Sequence, residues 1–200
     1  MKEKSLSARL LWSILVLQTG SMLLSLVEGS FGGSDLFQWL QQGILAAVAV
    51  CLFSLGREHL FFRLTGIGWG LVLALTLVST FLSTPEMLTD PSKRWIFTML
   101  YWLGLVVKYP TAILEYLAYG KAAFTMKKKW LILVVSNMAW SLLGYGISEL
   151  AVQMYTMGAL NTTFLDVFGQ VLRLINLLFR LLYLWFLFQT YQVVQKRDSK

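Results

Sequence analysis

Charged side chains are scarce in this chain. Asp, Glu, Lys and Arg make up 14% of its 200 residues, whereas a soluble domain carries roughly 25%. Because 57% of the residues are apolar, too few polar side chains remain to cover a surface that faces water. The composition therefore excludes an ordinary soluble domain and indicates that most of the exterior faces lipid.

Cysteine and histidine are each present once, which excludes several kinds of site. Cys51 alone can form neither an intramolecular disulfide nor a cysteine metal cluster. His59 alone excludes haem held by two histidines and histidine-rich metal sites. Hydrolysis within a membrane needs a nucleophile with a base, paired aspartates or a metal centre, and the sequence shows none of these patterns. We therefore expect no cofactor and no metal, and an enzymatic activity has little support.

What the sequence does contain is a series of six long apolar runs. An α-helix needs roughly 20 apolar residues to cross the hydrocarbon core of a bilayer. The runs cover residues 10–27, 36–55, 60–82, 95–119, 130–152 and 164–191. We expect an all-α, polytopic integral membrane bundle of six transmembrane helices, forming one membrane domain over residues 1–200. Its expected location is the cell membrane, with the lipid bilayer as its first partner.

The first run also has features of a secretory signal peptide, since a basic start precedes a short apolar centre. However, no A-x-A cleavage site follows, and the apolar stretch continues to Val27. Cleavage would leave five spans and would not change the orientation of the others. We therefore expect the first run to stay in the bilayer as a helix.

Basic residues predict the orientation of the spans, because Lys and Arg are enriched on their cytoplasmic flanks. With the N-terminus inside, the outer loops hold two basic residues, Lys93 and Arg94. The inner segments hold twelve: Lys2, Lys4, Arg9, Arg57, Arg63, Lys121, Lys127, Lys128, Lys129, Lys196, Arg197 and Lys200. The sequence therefore predicts that both termini are cytoplasmic. No separate basic stripe remains for a phosphate backbone, so we expect no nucleic-acid partner.

Ionisable and polar residues inside the spans are concentrated in the second half of the chain. Such residues normally face the protein interior or a hydrated cavity. Three helices carry them at steps of three or four, which places them along single helical faces. The faces comprise Tyr101, Gly104, Lys108, Thr111 and Glu115 in helix four, then Asn137, Ser141, Tyr145, Ser148 and Glu149 in helix five, and Asp166, Gln170, Arg173, Asn176, Arg180 and Tyr183 in helix six.

The acidic members of these faces are expected to form structural ion pairs. Helix geometry of about 1.5 Å rise per residue places Glu115 within reach of Arg180, and Glu149 within reach of Arg173. Asp166 is the third acidic residue of this group. Buried pairs of this kind can determine which helices meet and in which register. On this structural interpretation, the polar faces serve only to hold the bundle together.

The functional interpretation starts from Lys108, which lies near the middle of its span without an obvious partner. Its ammonium group would have to be neutral, hydrated or neutralised by a ligand. We predict a cavity bounded by Lys108, Arg173, Asn137 and Ser141, with Arg180 adding to its positive charge. Such a cavity would favour a carboxylate, a phosphate or a lipid head group.

Two hypotheses about function follow from these features. The first is a membrane-embedded binding or transport protein for a small anionic or amphipathic solute. Such a protein would act either alone or as the membrane component of a larger transporter. The second is a non-catalytic membrane subunit or signalling scaffold that acts through a partner protein, either another subunit or a second copy. A cavity lined by the charged faces would favour the first hypothesis, and closed ion pairs would favour the second.

The glycines of the third run also permit two interpretations. Gly66, Gly68 and Gly70 resemble a glycine-rich phosphate loop, but no strand precedes them. Small residues at this spacing in a membrane helix are typical of close helix packing. We therefore expect neighbouring helices to approach the backbone of this helix closely at these glycines.

Overall fold

The computed structural model of the protein describes residues 4–31, 35–57, 59–82, 94–157 and 162–198. These ranges contain no strand and form long α-helices joined by short connections. The helices are α1 (Lys4–Phe31), α2 (Asp35–Leu55), α3 (Leu60–Leu82), α4 (Arg94–Ala122), α5 (Lys127–Thr156) and α6 (Thr162–Asp198).

All six helices are long and apolar enough to cross a membrane. The predicted all-α class and the six membrane-length segments are therefore confirmed within the described ranges. The last helix extends seven residues past the predicted boundary at Tyr191, to Asp198. The reason is that an α-helix satisfies its own backbone hydrogen bonds and so can continue beyond the apolar run. The orientation of the termini stays a prediction.

The helices form a ring in sequence order. Each helix packs against the next one, and α6 returns to pack against α1. Neighbouring helices run antiparallel, as contacts between α5 and α6 show. Trp130 near the start of α5 donates a hydrogen bond to Thr190 near the end of α6. Trp140, further along α5, donates one to Asn176, which lies earlier in α6. The ring closes where the Trp12 and Tyr191 rings lie 5.3 Å apart between α1 and α6.

Two short connections lie at one end of this ring. The first follows α2, where the Gly56 N–H donates to the carbonyls of Leu52 and Phe53. The second is a turn of 3-10 helix at residues 124–126 between α4 and α5. We call this the basic end, because these side chains surround it: Arg57, Arg63, Lys121, Lys127, Lys128 and Lys129. The opposite end is called the far end.

The packed core occupies the half of the bundle nearest the basic end. Its largest fully buried side chains are Trp130, Tyr119 and Phe62. The core also includes Leu11, Ile14, Val48, Leu52, Tyr116, Leu133, Leu187 and Val194. In the far half, large side chains such as Phe81 and Leu142 are at least 70% exposed. Fully buried side chains are therefore concentrated in the basic half, and a large cavity lies in the far half.

Two of the three glycines of α3 lie where other helices approach closely, which confirms that part of the packing prediction. A Cβ atom added at Gly66 would lie 2.5 Å from the backbone nitrogen of Phe53 in α2. One added at Gly68 would overlap the side chain of Thr111 in α4. Gly70 differs, because nothing lies within 4 Å of an added Cβ. Gly66 and Gly68 thus set the spacing of α2, α3 and α4.

Alanine substitutions should distinguish the two closely packed glycines from Gly70 by their effect on stability. Gly66→Ala and Gly68→Ala should each lower the stability by about 1–3 kcal/mol, because overpacking forces neighbouring atoms to move. Gly70→Ala is the matched control and should be neutral or stabilising, since alanine favours a helix by about 1 kcal/mol over glycine. Thermal unfolding of the purified variants in one detergent measures the difference. Equal melting temperatures for all three variants would contradict the close packing.

Candidate functional site

A large cavity lies between α2, α3 and α4 in the far half of the bundle. Its volume is about 880 Å³. The lining includes Asp35, Gln38, Trp39, Leu45, Trp69, Val72, Leu75, Thr76, Ser79, Thr80, Phe97, Leu100, Tyr101, Gly104, Leu105 and Lys108. We call this the far-end cavity. Asp35 is the first residue of α2 and so marks the mouth of the cavity.

Lys108 is the basic residue among the side chains that line the far-end cavity, and it lies far from the mouth. It lies fourteen residues along α4 from Arg94, about 21 Å at the usual rise per residue. Its side chain remains exposed within the isolated chain and lines the cavity with the ring of Trp69. Hydroxyl groups of Thr76, Ser79 and Thr80 line the wall on α3. The cavity therefore combines the ammonium group of Lys108 with the carboxyl group of Asp35 at its mouth, hydroxyls and apolar surface.

Trp69 connects the far-end cavity to the packed half of the bundle. Its ring lines the cavity, and its Nε1–H donates a 2.8 Å hydrogen bond to Oε2 of Glu115. Glu115 is only 3% exposed. The indole thus separates the open volume from a buried carboxyl group. A ligand that moved Trp69 would change a hydrogen bond of that carboxyl.

The Glu115 carboxyl joins three helices. Trp69 of α3 donates to one oxygen, while Tyr119 of α4 and Tyr183 of α6 donate to the other. The Tyr119 hydroxyl lies 3.1 Å from Oε1, and the two tyrosine hydroxyls lie 3.4 Å apart. Tyr119 reaches the carboxyl because it lies four residues after Glu115 on the same helical face. Neutral donors thus satisfy both carboxyl oxygens without a basic side chain.

Aromatic rings enclose this carboxyl on the side of the basic end. Trp130 makes edge contacts with Tyr116, Tyr183 and Phe186 at centroid distances of 5.5–5.8 Å. Its Nε1–H donates to the hydroxyl of Thr190 at 2.9 Å. These rings pack the contact of α4, α5 and α6 in the basic half.

The ion pair predicted between Glu115 and Arg180 is replaced by other contacts. Arg180 donates from Nη1 to the Ser25 hydroxyl of α1 at 2.8 Å, while Glu115 is held by the three donors named above. The reason is the ring arrangement, in which α6 turns its Arg180 towards α1 and its Tyr183 towards α4. The depths of Glu115 and Arg180 along their spans were compatible with an ion pair. The rotation of α6 about its axis, however, decides which of its side chains meets the carboxyl group.

The other predicted pair involves Glu149, whose side chain lies outside the described residues. Its proposed partner Arg173 is exposed on the far half of α6, as is Asp166. The predicted role of both acidic residues in ion pairs stays a prediction.

The residues predicted to bound one cavity lie on different sides of the bundle. Lys108 lines the far-end cavity between α2, α3 and α4, whereas the prediction placed it between helices four, five and six. Asn137 instead donates to the Tyr116 hydroxyl at 3.3 Å, and Ser141 donates to the Asn137 carbonyl of its own helix. Arg173 and Arg180 lie on α6, away from the Lys108 cavity. Of the predicted ligand-binding set, Lys108 alone is among the residues that line the far-end cavity.

Sequence reasoning missed Trp69 as part of the site. A tryptophan near the middle of a span is unusual, because these rings favour the membrane interface. A buried indole N–H also needs an acceptor. Those two facts could have pointed to a polar partner for Trp69, although its identity requires the register between α3 and α4.

Comparisons with known protein families, characterised proteins and solved structures found no match to this chain. Within the described ranges, no group of three or more His, Cys, Asp or Glu side chains is placed to hold a metal ion. The geometry of the cavity and of its buried carboxyl therefore carries the functional argument by itself.

The hydrogen bonds of Glu115 can be tested by substitution. Glu115→Leu should lower stability by about 3 kcal/mol or more, because it leaves buried donors on Trp69, Tyr119 and Tyr183 without an acceptor. Glu115→Gln keeps one acceptor oxygen and should lower it less. Thermal unfolding in detergent provides the measurement.

A double-substitution cycle identifies the partner of Glu115. Glu115→Gln and Tyr183→Phe should be strongly non-additive, because the first changes the acceptor and the second removes the donor of the same hydrogen bond. Glu115→Gln and Arg180→Gln form the matched control and should be additive, since their side chains contact different residues. Coupling of Glu115 with Arg180 but not with Tyr183 would reverse the assignment.

Proposed function

We propose that this chain is a membrane-embedded binding or transport protein for a small anionic or amphipathic solute, which binds in the far-end cavity. The observation that carries this proposal is Lys108, a cation deep in a cavity of about 880 Å³. A charged group within a span is unfavourable by several kcal/mol unless it is hydrated or paired. An anionic ligand would neutralise the ammonium group. The remaining lining suits an amphipathic molecule, because aromatic and aliphatic side chains alternate with hydroxyls.

The position of the cavity in the far half supports binding from one side of the membrane. With both termini in the cytoplasm, as the basic residues predict, the far-end cavity would open to the outside. Movement of a solute further inward would require α3 and α4 to separate at the contact of Trp69 with Glu115. Trp69 touches both regions and would transmit occupancy of the cavity to that contact. A transporter of this kind would use these helices as its gate, either alone or as the membrane component of a larger assembly.

Hexanoate is a suitable probe for this proposal, because it joins a carboxylate to a short apolar chain. Purified protein in detergent should bind hexanoate more tightly than 1-hexanol, which has no charge. Lys108→Met should weaken hexanoate binding about 10- to 100-fold, corresponding to the roughly 1.5–3 kcal/mol of a hydrogen bond to a charged group. Isothermal titration calorimetry measures both affinities.

Two variants serve as controls for the hexanoate experiment. Lys108→Arg keeps the charge and should retain binding, while Lys129→Met removes a cation at the basic end and should leave binding unchanged. Lys129 donates to Gln189 and lies outside the cavity. Unchanged affinity in Lys108→Met, or equal binding of hexanoate and 1-hexanol, would contradict the proposed site.

The orientation on which this proposal depends has its own test. In a Cys51→Ser background, a cysteine at position 34 should react with an impermeant thiol reagent added to intact cells. A cysteine at position 128 should react only after the cells are opened. This result is expected because basic residues are retained on the cytoplasmic side. Labelling at position 128 but not at 34 in intact cells would show the opposite orientation.

A second candidate function is a non-catalytic subunit or scaffold that acts through a partner protein. The observation that favours it is the exposure of Asp166 and Arg173 on the far half of α6, beside exposed Val171 and Leu174. Charges on a membrane helix are stabilised when another polypeptide covers them. If this candidate is correct, Arg173→Leu should reduce the particle mass measured by light scattering in detergent. A single-chain mass for the unsubstituted protein would contradict assembly of identical subunits.

A further inference from the structure

Another cavity lies at the basic end, where α2 turns into α3. Its volume is about 440 Å³. The lining comprises Leu10 of α1, Phe53 and Ser54 of α2, Gly56 and Arg57 of the turn, and Arg63 of α3. We call this the arginine pocket, because two guanidinium groups border one small volume.

The turn at Gly56 holds the two arginines close together. Arg57 follows Gly56 directly in the chain, and Arg63 packs against Gly56 from α3. A Cβ atom added at Gly56 would lie 2.5 Å from the Cβ of Arg63 and 2.7 Å from the carbonyl oxygen of Phe53. A residue without a side chain therefore lets the turn approach α3 at this point. The stems of Arg57 and Arg63 thus start from opposite sides of one backbone contact.

The guanidinium groups of the arginine pocket are available to a ligand. That of Arg63 lies over the Phe53 ring, with 5.5 Å between its central carbon and the ring centroid. Stacking covers the face of a guanidinium and leaves the N–H donors in its plane able to bind an anion. Both arginine side chains are exposed, and neither forms an ion pair with a carboxylate in the described ranges. Glu58 lies outside those ranges, and two arginines against this one acid leave residues 57–63 positive in net charge.

The surroundings of the pocket favour an anion that carries an apolar chain. Guanidinium groups bind the oxygens of phosphate and carboxylate groups through paired hydrogen bonds. From Phe53 and Arg63, steps of three and four residues towards the middle of each span reach Val50 on α2 and Ile67 on α3. Both of these side chains are exposed. An acyl chain would find apolar surface there, whereas a soluble phosphate would make no use of it.

We propose that the arginine pocket binds the phosphate group of an anionic phospholipid, with its acyl chains along α2 and α3. Basic pockets between membrane helices on the cytoplasmic side bind anionic head groups in this way. With the predicted orientation, the lipid would belong to the inner leaflet. The site lies at the opposite end from the far-end cavity and does not depend on the proposed solute.

Dioleoyl phosphatidylglycerol and dioleoyl phosphatidylcholine form a matched pair of probes, because they share acyl chains and differ in net charge. Native mass spectrometry of the purified full chain in detergent measures the dissociation constant of the first bound lipid. Phosphatidylglycerol should bind at least about fivefold more tightly, since each basic residue near an anionic lipid contributes about that factor. Arg57→Gln combined with Arg63→Gln should abolish this difference.

A second pair of substitutions controls for charge. Lys127→Gln combined with Lys128→Gln removes the same charge from exposed positions at the basic end that do not line the pocket. This protein should keep its preference for phosphatidylglycerol. All variants should melt at the same temperature without added lipid, because the four substituted side chains are exposed. Equal affinity of the unsubstituted protein for both lipids, or equal loss of preference in the two double variants, would overturn the inference.

Glycerol 3-phosphate distinguishes a lipid site from a site for soluble phosphates, because it carries the phosphate without acyl chains. Added at the same concentration as phosphatidylglycerol, it should leave the amount of bound lipid unchanged. Displacement of the lipid under these conditions would overturn the assignment to a phospholipid. Lys108→Met should not alter phosphatidylglycerol binding, so failure of the hexanoate experiment and failure of this inference are separate results.

Discussion

The Glu115 carboxyl is the interaction on which the arrangement of this bundle depends. It is buried within a membrane-length helix, two turns beyond the middle, where a polar group without partners is strongly unfavourable. Trp69, Tyr119 and Tyr183 supply its hydrogen bonds. Because these donors lie on α3, α4 and α6, satisfying one carboxyl requires three helices to meet in one register. The aromatic core around Trp130 then fills the space next to this junction.

This junction also lies at the boundary between the packed core and the far-end cavity. Gly66 and Gly68 bring α3 close to α2 and α4 near the basic half. Towards the far end, Gly70 and Gly104 have no close neighbours, and the helices leave a cavity between them. Lys108 therefore lies in an accessible volume, while Glu115, two turns further along the same helix, is enclosed. One face of α4 thus carries both the proposed binding group and the structural junction.

Much of the fold could be predicted from hydropathy alone, but the partners of the polar residues could not. The six spans follow from composition, because length and apolarity determine which segments can cross a bilayer. Lys108 was recognised as a candidate binding residue because it lies near the middle of its span without an obvious countercharge. The pairing of Glu115 with Arg180 was inferred from depth as well, yet Arg180 contacts Ser25 instead. Depth follows from position in a span, whereas contact also depends on how each helix is rotated.

The sequence by itself determined the helical class, the number of membrane-length segments and the faces on which polar residues recur. These properties depend on local periodicity and on hydrophobicity, which a single segment carries without its neighbours. Only the tertiary structure decided that α6 packs against α1, that Trp69 meets Glu115, and that Arg180 meets Ser25. Those facts depend on helix rotation and register across residues far apart in the chain. They are settled by packing all six helices together, because no single segment contains the information.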